Sequence, residues 1–382
     1  MLRKPPQMPL KPDPEPADAA RLAERLAAMP AVGRIREASG ELSVYLVGGA
    51  VRDLLLGRSR ADVDVVVEGD ATEVARRLGG EPVTHERFAT ATARMEELEV
   101  DLATARTESY AHPGALPDVR PATLAEDLAR RDFTFNAMAL PLTGEPELID
   151  PHGGRADLER GVLRILHERS FVDDPTRALR AARYAARFGF EIEDQTEELA
   201  RATDLGTVSE DRVEAELRKL AGEPEPRTGF ELLDEWGLVT LPDGAGELIA
   251  AVSALLSEPP WSEVCDRADA VLAAAVGRDG GAAELAAARP ERPSEAVEMA
   301  RERSGVELAL GRAKGGEWLD RYIGKWRNVK LEISGDDLLA AGVPEGPAVG
   351  RGLEAALARK LDGEISGRDA ELAAALEAAK GA

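Results

Sequence analysis

The sequence predicts an α+β protein in which an N-terminal mixed β-sheet with flanking helices is followed by helical domains. A strand, a glycine turn, a short helix and a second strand follow one another in SVYLVGGAVRDLLLGRSRADVDVVV, residues 43–67. Residues 98–102 alternate apolar and polar side chains as a further strand. From Phe230 onward the chain is rich in Ala, Leu and Glu and is broken by Gly and Pro, which is typical of packed helices.

Composition sets the broad class of the protein. The 382 residues, 44% of them hydrophobic, are enough for two or three domains with buried cores. No apolar run approaches the length of a membrane span, and the N-terminus lacks the apolar segment of a signal peptide. The single Cys265 excludes an internal disulfide. These features predict a cytoplasmic protein with no membrane contact.

The formal charge of −23 is unusual for a protein that binds nucleic acid. Residues 1–220 carry 41 acidic and 30 basic side chains, and the remainder carries 30 and 18, so no large region is basic. Two windows are positive: residues 151–190 with eight Arg against five acids, and residues 312–330 with six basic residues against two. A nucleic-acid partner is expected to lie along these windows.

The first 16 residues contain six prolines and predict a disordered tail, and residues 17–38 follow with a helical pattern. The apolar strand at 44–47 ends on Gly48 and Gly49, where the backbone can turn sharply and approach a ligand. The helix predicted at 50–56 leaves unpaired N–H groups beside these glycines, and Arg52 adds positive charge. This combination is typical of a phosphate-binding site.

The next strand carries paired carboxylates. With a period of two residues, Asp62 and Asp64 lie on one face while Val63 and Val65 face the core. Two carboxylates beside a phosphate site suit hard divalent cations such as Mg²⁺. Asp101 lies on the polar face of the strand at 98–102, and two interpretations stay open: a solvated strand face or a third member of the carboxylate set.

The segment RRDFTFNAMA, residues 130–139, combines polar groups that suit a ribonucleotide with apolar ones. Arg131 can neutralise phosphate, and Asp132 and Asn136 can hydrogen-bond ribose hydroxyls. The alternative is a structural ion pair between Arg131 and Asp132. The apolar members of the segment are predicted to be core residues: Phe133, Phe135 and Met138.

The segment 172–190 predicts a helix that begins at Pro175 and carries a stripe of arginines. Asp174 is placed as its N-cap and Pro175 as its first residue. A spacing of three or four residues aligns the arginines on one face, where anions are expected: Arg177, Arg180, Arg183 and Arg187. Asp174 and Arg177 lie on the same side of the first turn and offer an acceptor beside a donor. That pair suits the Watson–Crick edge of cytosine or adenine and opposes that of uracil or guanine; the alternative is that Asp174 only caps the helix.

Taken together, GGAVRDLLLG followed by DVD, RRDFTFNAMA, VDDPTR and SEDRVEAEL resemble the motifs of class II CCA-adding enzymes and bacterial poly(A) polymerases. These enzymes belong to the polymerase-β-type nucleotidyltransferases. The resemblance implies template-independent addition of C, C and A to the 3′ end of tRNA, with CTP, ATP and two Mg²⁺ ions held by Asp62 and Asp64. It also implies that Asp174 and Arg177 read the base, that Arg180 and Arg183 reach the triphosphate, and that Arg212 and Glu216 brace the base-reading helix.

The same resemblance predicts the domain order. Residues 1–40 are the tail and lead-in helix, 41–150 the nucleotidyltransferase head, 151–222 a helical neck, and 223–382 a helical body and tail that bind tRNA. Residues 107–122 are predicted to be a loop, which in this family separates enzymes that can add A from those that add only C; a plain connection is the alternative. Gly153 and Gly154 resemble the link between head and neck.

Three alternatives stay open at this point. Addition of A alone to tRNA and synthesis of a poly(A) tail depend on the same motifs, and a non-catalytic RNA-binding homologue belongs to a different class. In the basic window at 312–330, an aromatic stripe at helical spacing predicts core packing. The interleaved basic residues are candidates for contact with the tRNA backbone: Arg321, Lys325, Arg327 and Lys330.

Overall fold

The structure, a computed structural model, describes residues 19–58, 63–79, 81–85, 89–95, 98–144 and 146–380. The predicted disordered tail and Asp62 lie outside the described residues. The chain divides after Val239 into two compact units. No helix among the described residues is long and apolar enough to cross a membrane.

The first unit begins with the elements of the head. In chain order they are α1 (Ala19–Ala27), α2 (Pro30–Ser39), β1 (Ser43–Val47), α3 (Gly49–Leu55), β2 (Val63–Glu68), α4 (Ala71–Leu78), β3 (Val83–His85), β4 (Thr90–Met95), β5 (Leu98–Thr104), β6 (Arg106–Ser109), β7 (Asp118–Pro121), α5 (Leu124–Ala129) and β8 (Ala139–Pro141). The predicted strand, glycine turn, helix and strand of residues 43–67 are therefore confirmed. The single helical pattern predicted at 17–38 is two helices, because Pro30 lacks the N–H that a continuous helix needs and opens α2 instead.

A six-stranded sheet of order β3-β4-β5-β2-β1-β8 forms the head. Strands β2 and β5 are parallel, whereas the pairs β1–β2, β1–β8, β3–β4 and β4–β5 are antiparallel. The sheet is therefore mixed, as predicted. Val63 and Val65 of β2 are buried, in agreement with the predicted alternation.

The prediction of a loop at residues 107–122 is correct for the connection at 110–117 and wrong for residues 107–109 and 118–121, which are strand. β6 and β7 pair as an antiparallel hairpin, with Thr107 opposite Arg120 and Glu108 opposite Val119. Both strands are short and largely exposed or half-buried. Since they carry no apolar stripe, the sequence holds no periodic signal from which the pairing could be predicted.

The remaining elements of the first unit are α6 (Gly154–Arg160), β9 (Val162–Leu163), α7 (Ser170–Asp173), α8 (Thr176–Phe188), β10 (Glu191–Ile192), α9 (Asp194–Arg201), α10 (Glu210–Ala221) and α11 (Pro226–Glu235). Gly153 and Gly154 form the tight start of α6, where the Asp150 carboxylate accepts from the backbone N–H of Gly154 at 2.7 Å. A Cβ on Gly154 would overlap the carbonyl oxygen of Thr134. Close backbone packing therefore explains this second glycine.

An aromatic cluster attaches α8 to the segment 133–136. The ring centroids of Phe133 and Phe135 are 5.7 Å apart, and Tyr184 meets Phe135 edge-on at 5.6 Å. Phe133, Phe135 and Met138 are fully buried, which confirms the predicted core residues. The packing of large aromatic rings fixes α8 against the polar residues of the same segment.

The second unit contains helices and no strand among its described residues. Its helices are α12 (Ala245–Leu255), α13 (Arg267–Ala275), α14 (Ala282–Ala287), α15 (Pro293–Ala300), α16 (Gly305–Ala313), α17 (Trp318–Gly324), α18 (Gly335–Ala340), α19 (Pro347–Leu361) and α20 (Arg368–Lys380). Tyr322 is buried and Trp318 half-buried, consistent with the predicted core role of the aromatic stripe. The interleaved basic side chains of this unit are exposed: Arg321, Lys325, Arg327 and Lys330.

Candidate active site

Two carboxylates lie side by side on the head sheet. Asp64 of β2 and Asp101 of β5 are register partners in the parallel pairing, on strands that are ~4.8 Å apart. The Asp101 carboxylate also accepts a hydrogen bond of 2.6 Å from the Thr92 hydroxyl on β4. Of the two interpretations of Asp101, this placement favours membership of the carboxylate set, because it puts a second set of oxygen ligands beside Asp64.

The glycine turn brings the backbone close to Arg131. Gly48 has a φ of +62°, and a Cβ at this position would lie 2.8 Å from Nη1 of Arg131. Both the dihedral and the close approach explain why a glycine stands here. Arg131 is held in turn by the fully buried Asp127, whose Oδ2 accepts from Arg131 Nη2 at 2.8 Å. The alternative interpretation, an ion pair between Arg131 and Asp132, is therefore wrong, since Arg131 pairs with Asp127.

Arg52 lines the cavity, but its side chain is engaged by other groups of the protein. Its side chain is 2% exposed, and its Nη1 donates to Oδ1 of Asn136 at 2.8 Å while its Nε donates to Asp53 at 2.9 Å. The guanidinium also lies 4.8 Å from the ring centroid of Phe188. Arg52 thus links α3 to Asn136 and α8, and its predicted contact with phosphate stays a prediction.

Asp132 and Asn136 are also engaged within the protein. Asp132 Oδ1 accepts from the backbone N–H of Phe133 at 2.9 Å and from Asn136 Nδ2 at 3.0 Å. Oδ2 accepts from Nε of Arg180 at 2.9 Å and also from its Nη2. A carboxylate has about four acceptor positions, so none is left for a ribose hydroxyl. Direct ribose contact by Asp132 requires one of these hydrogen bonds to be exchanged, and it stays a prediction.

Burial alone raises the pKa of a carboxyl group, but the Arg180 charge and the hydrogen bonds from Asn136 and Arg180 outweigh it. They lower the pKa of Asp132 to about 2. The charged Asp132 thus serves as the anchor of Arg180, which fixes α8 to the segment 130–136.

The arginine stripe of α8 contacts anionic groups, as predicted, but these groups are carboxylates of the protein itself. Arg183 donates to Glu216 at 3.3 Å and to Glu223 at 3.4 Å, and Arg187 forms two bonds of 2.7 Å with Glu223. Arg180 pairs with Asp132 as described above. These pairs explain the stripe by internal contacts, and contact of Arg180 and Arg183 with a triphosphate stays a prediction.

Asp174 and Arg177 lie together at the start of α8. Pro175 has helical dihedrals and Asp174 extended ones, so Asp174 is the cap that the sequence predicts. Asp174 Oδ1 accepts from the backbone N–H of Thr176 at 3.1 Å, from its hydroxyl at 2.6 Å and from Arg212 Nη2 at 2.9 Å. This bond confirms the predicted bracing of the helix by Arg212. The bond from Arg183 on α8 to Glu216 confirms the predicted bracing by Glu216.

Arg177 is nearly buried and is held by oxygens of neighbouring segments. Its Nη1 donates to the Ser170 hydroxyl at 2.9 Å and its Nη2 to the carbonyl oxygen of Arg130 at 2.8 Å. A third bond of 3.3 Å joins Nη1 to the carbonyl oxygen of Arg131. These bonds use three of the five guanidinium donors, so Arg177 keeps donor capacity toward a ligand.

One cavity of about 830 Å³ joins these groups. Its volume is within the usual range for a small-molecule site. The predicted site residues that line it are Gly48, Gly49, Arg52, Asp64, Asp101, Arg131, Asp132, Asn136, Asp174, Arg177, Arg180 and Arg183. Asp62, which lies outside the described residues, is the one predicted site residue about which the structure says nothing.

Several residues that line the cavity were not predicted from the sequence. Tyr110 and Pro117 of the hairpin line the cavity, and so do Thr92 and Lys219. Burial raises the pKa of the Tyr110 hydroxyl, which donates to Glu108 at 2.8 Å. The sequence predicted a loop at 107–122 but held no signal for which of its side chains line the cavity, because that depends on the pairing of β6 with β7.

The fold and the cavity describe a nucleotidyltransferase head, and the family comparison agrees. Residues 44–164 match the poly A polymerase head domain. The CC-adding tRNA nucleotidyltransferase of Deinococcus radiodurans is 38% identical over 349 residues, which is 88% of this chain and 89% of that protein. The chain therefore belongs to the tRNA nucleotidyltransferase family, a family of enzymes, and the predicted resemblance is confirmed.

Other relatives carry different names. The A-adding tRNA nucleotidyltransferase of Halalkalibacterium halodurans is 46% identical over 207 residues. The match covers 51% of this chain and 48% of that relative, so this chain spans only about half of the relative's length. A structure of the Thermotoga maritima CCA-adding enzyme with tRNA is similar at a TM-score of 0.75 and 29% identity, covering 93% of this chain and 98% of that one. A structure of a CCA-adding enzyme with ATP is similar at a TM-score of 0.77 and 29% identity, and the match covers 94% of this chain and 98% of that one.

Proposed function

We propose that this protein adds C, C and A to the 3′ end of tRNA without a nucleic-acid template, using CTP and ATP. The observation that carries the proposal is the shared cavity, in which the paired carboxylates Asp64 and Asp101 and the pair Asp174 and Arg177 line one nucleotide-sized space. Such an arrangement lets the same pocket hold a triphosphate and read its base. The similar structures with tRNA and with ATP support these partners.

Base choice follows from the oxygens of Asp174. Its Oδ1 takes all three hydrogen bonds that this carboxylate receives from the described part of the chain, which leaves Oδ2 to accept from a ligand. Cytosine and adenine each present an amino group beside a ring nitrogen acceptor, which matches Oδ2 and an Arg177 donor. Uracil and guanine present a carbonyl beside a ring N–H, and each mismatched group costs ~1–3 kcal/mol.

Asp64 and Asp101 are the described residues that suit Mg²⁺, since hard cations take carboxylate oxygens, and Asp62 is proposed to join them. Among the described residues, no group of three or more His, Cys, Asp or Glu side chains is placed to hold a metal ion. A divalent ion bound there supplies positive charge to phosphate oxygens and lowers the pKa of an attacking hydroxyl. Arg131, close to the backbone of Gly48, is proposed to neutralise phosphate beside it.

Asp101→Asn is expected to lower nucleotide incorporation by ~100-fold or more, because it replaces a charged ligand oxygen by an amide. Single-nucleotide incorporation on tRNA, measured over a range of Mg²⁺ concentrations, checks this. The matched control is Glu99→Gln, two residues earlier on the same exposed face of β5 and paired with Arg94. If Asp101→Asn retains both wild-type rate and wild-type Mg²⁺ dependence, Asp101 belongs to a solvated strand face.

Asp174→Asn is expected to make UTP a substrate while CTP is still used. The amide oxygen can keep the contacts of Oδ1 with Thr176 and Arg212, and the amide nitrogen then stands where Oδ2 met the base. A donor at that position favours the carbonyl of uracil over the amino group of cytosine. The measurement is incorporation of each of the four triphosphates on one tRNA. Unchanged preference for C and A in the folded, active variant would show that Asp174 only caps α8.

The full activity is tested with three tRNA substrates, ending before CCA, after C and after CC. Each is incubated with CTP, ATP or both, and the 3′ ends are sequenced. Extension of the first substrate to CCA supports the proposal. Addition of A to the third substrate alone indicates an A-adding enzyme, a homopolymer indicates poly(A) synthesis, and no addition indicates a non-catalytic RNA-binding homologue.

Addition of C and C without the final A is a second candidate. The observation that favours it is the Deinococcus radiodurans relative, which is named as CC-adding and matches 88% of this chain. The same substrates distinguish the two candidates, because a CC-adding enzyme stops after two residues even when ATP is supplied. In either case the tRNA backbone is proposed to contact the exposed basic side chains of the second unit: Arg321, Lys325, Arg327 and Lys330.

A further inference from the structure

Thr92 lines the cavity, but the proposed function gives it no role. It stands directly opposite Asp101 in the antiparallel pairing of β4 with β5. The Thr92 hydroxyl donates to Oδ1 of Asp101 at 2.6 Å, a length typical of a hydrogen bond to a charged carboxylate. Among the described residues, this hydroxyl is the only hydrogen-bond donor to the Asp101 side chain. One neighbouring group therefore orients that carboxylate.

Three polar side chains form a row across neighbouring strands of the head sheet. Asp64 on β2 is the register partner of Asp101 on β5, and Asp101 is the register partner of Thr92 on β4. Because β5 lies between β2 and β4, the hydroxyl reaches Asp101 from the side opposite Asp64. It engages Oδ1 and leaves Oδ2 to accept a ligand shared with Asp64. The strand order therefore separates the oxygen that orients Asp101 from the oxygen that suits a metal ion.

The backbone fixes the position of this hydroxyl. Ala91 and Ala93, the neighbours of Thr92 on β4, are buried on the opposite face of the sheet. A shift of β4 by one residue would bury the hydroxyl and expose both alanines, so the register is strongly determined. Threonine is also β-branched, which restricts rotation about its Cα–Cβ bond. The donor is thus held beside Asp101 by the fold itself.

We propose that Thr92 is a positioning residue that holds Asp101 in the orientation that binds a divalent cation. The inference rests on the proposed function, because it takes Asp101 as a ligand of Mg²⁺. A group that hydrogen-bonds to a metal ligand fixes the orientation of that ligand, and its loss lowers metal affinity or activity by ~10- to 100-fold. Because Asp101 is exposed, water can replace part of the lost contact, and the lower end of this range is expected.

Thr92→Val tests the inference, since valine keeps the β-branched shape and removes the donor. Mn²⁺ serves as the probe ion because it also takes carboxylate oxygens, and electron paramagnetic resonance of the free ion measures its binding without tRNA or nucleotide. We expect the Mn²⁺ dissociation constant to rise about tenfold and nucleotide incorporation at limiting Mg²⁺ to fall about tenfold. Saturating Mg²⁺ should restore most of the incorporation, because the variant keeps both carboxylates and loses only affinity for the ion.

Three further variants make the test specific. Thr92→Ser retains the hydroxyl and should restore most of the Mn²⁺ affinity and of the incorporation. Thr84→Val makes the same substitution at an exposed residue of β3 outside the cavity and should change neither. In the double variant Thr92→Val with Asp101→Asn, the loss should be smaller than the product of the single losses, because both residues act through one carboxylate. Thermal unfolding verifies that every variant folds.

The inference is overturned if Thr92→Val binds Mn²⁺ with wild-type affinity, or if Thr92→Ser is as defective as Thr92→Val. A loss of incorporation that saturating Mg²⁺ leaves unchanged also overturns it, because Thr92 would then act on something other than ion binding. Asp101→Asn separates the two hypotheses. If Asp101→Asn matches wild type in Mn²⁺ binding and incorporation, or if wild type binds no Mn²⁺, the proposed metal ligand and the inference fail together. If Asp101→Asn is defective and Thr92→Val is not, the inference alone fails.

Discussion

Replacing Asp64 with alanine is expected to lower nucleotide incorporation by ~1,000-fold or more while tRNA binding stays nearly unchanged. Asp64 lies beside Asp101 in the β2–β5 register and lines the cavity, but neither residue belongs to the basic surface proposed for tRNA. Loss of a metal ligand affects the transition state of phosphoryl transfer far more than it affects the binding of the RNA backbone. Single-turnover incorporation with CTP, paired with a tRNA filter-binding assay, measures the two effects separately.

Two further variants keep this test specific. Asp64→Asn preserves side-chain shape and removes one charge, so it should show most of the same loss. Asp211→Asn changes an exposed acid on α10 and should leave incorporation at the wild-type level. Substantial turnover by both Asp64 variants would refute the assignment of Asp64 as a metal ligand.

Asp132→Ala is expected to destabilise the first unit by ~2–3 kcal/mol, because it removes the anion that holds Arg180 and leaves that cation without its partner. The cost stays below that of a fully buried pair, since the Arg180 side chain is 31% exposed while Asp132 is 8% exposed. For a unit of this size the loss corresponds to a fall in Tm of roughly 5–10 °C. Scanning calorimetry measures it, and Asp194→Ala on the exposed start of α9 is the control.

The same variant should show a defined pH dependence. The folded-state pKa of Asp132, about 2, is below the ordinary carboxyl value of ~3.9 in the unfolded chain. The charged Asp132 therefore stabilises the fold fully above that ordinary value, and its contribution is lost as the pH falls toward 2. The Tm difference between wild type and Asp132→Ala should narrow between pH 5 and pH 3. A difference that is constant over this range would mean that the ionisation of Asp132 does not contribute.

Local patterns in the sequence were sufficient for part of the head, but not for its β6–β7 hairpin. The strand and glycine turn at 43–49, the alternation of Asp64 with its buried neighbours, and the buried Phe133 and Phe135 are all properties of short stretches. Each depends on the preferences of a few adjacent residues, on backbone freedom at glycine or on the period of a strand. The cap at Asp174 is of the same kind, since its partner Thr176 is two positions away.

Only the tertiary structure decided which polar groups stay available to a ligand. Asp132, predicted as a ribose ligand, also accepts hydrogen bonds from Arg180, which lies 48 positions later in the chain. The sequence predicted Arg212 only as a brace of α8. Its second hydrogen bond, to the carbonyl oxygen of Gly114, reaches a hairpin that is 98 positions away and has no periodic sequence signal. The sequence by itself determined the residue types of the site and their local conformation. Packing decided how their hydrogen bonds are shared, because a donor's partner depends on which distant segments are brought within about 3 Å of it.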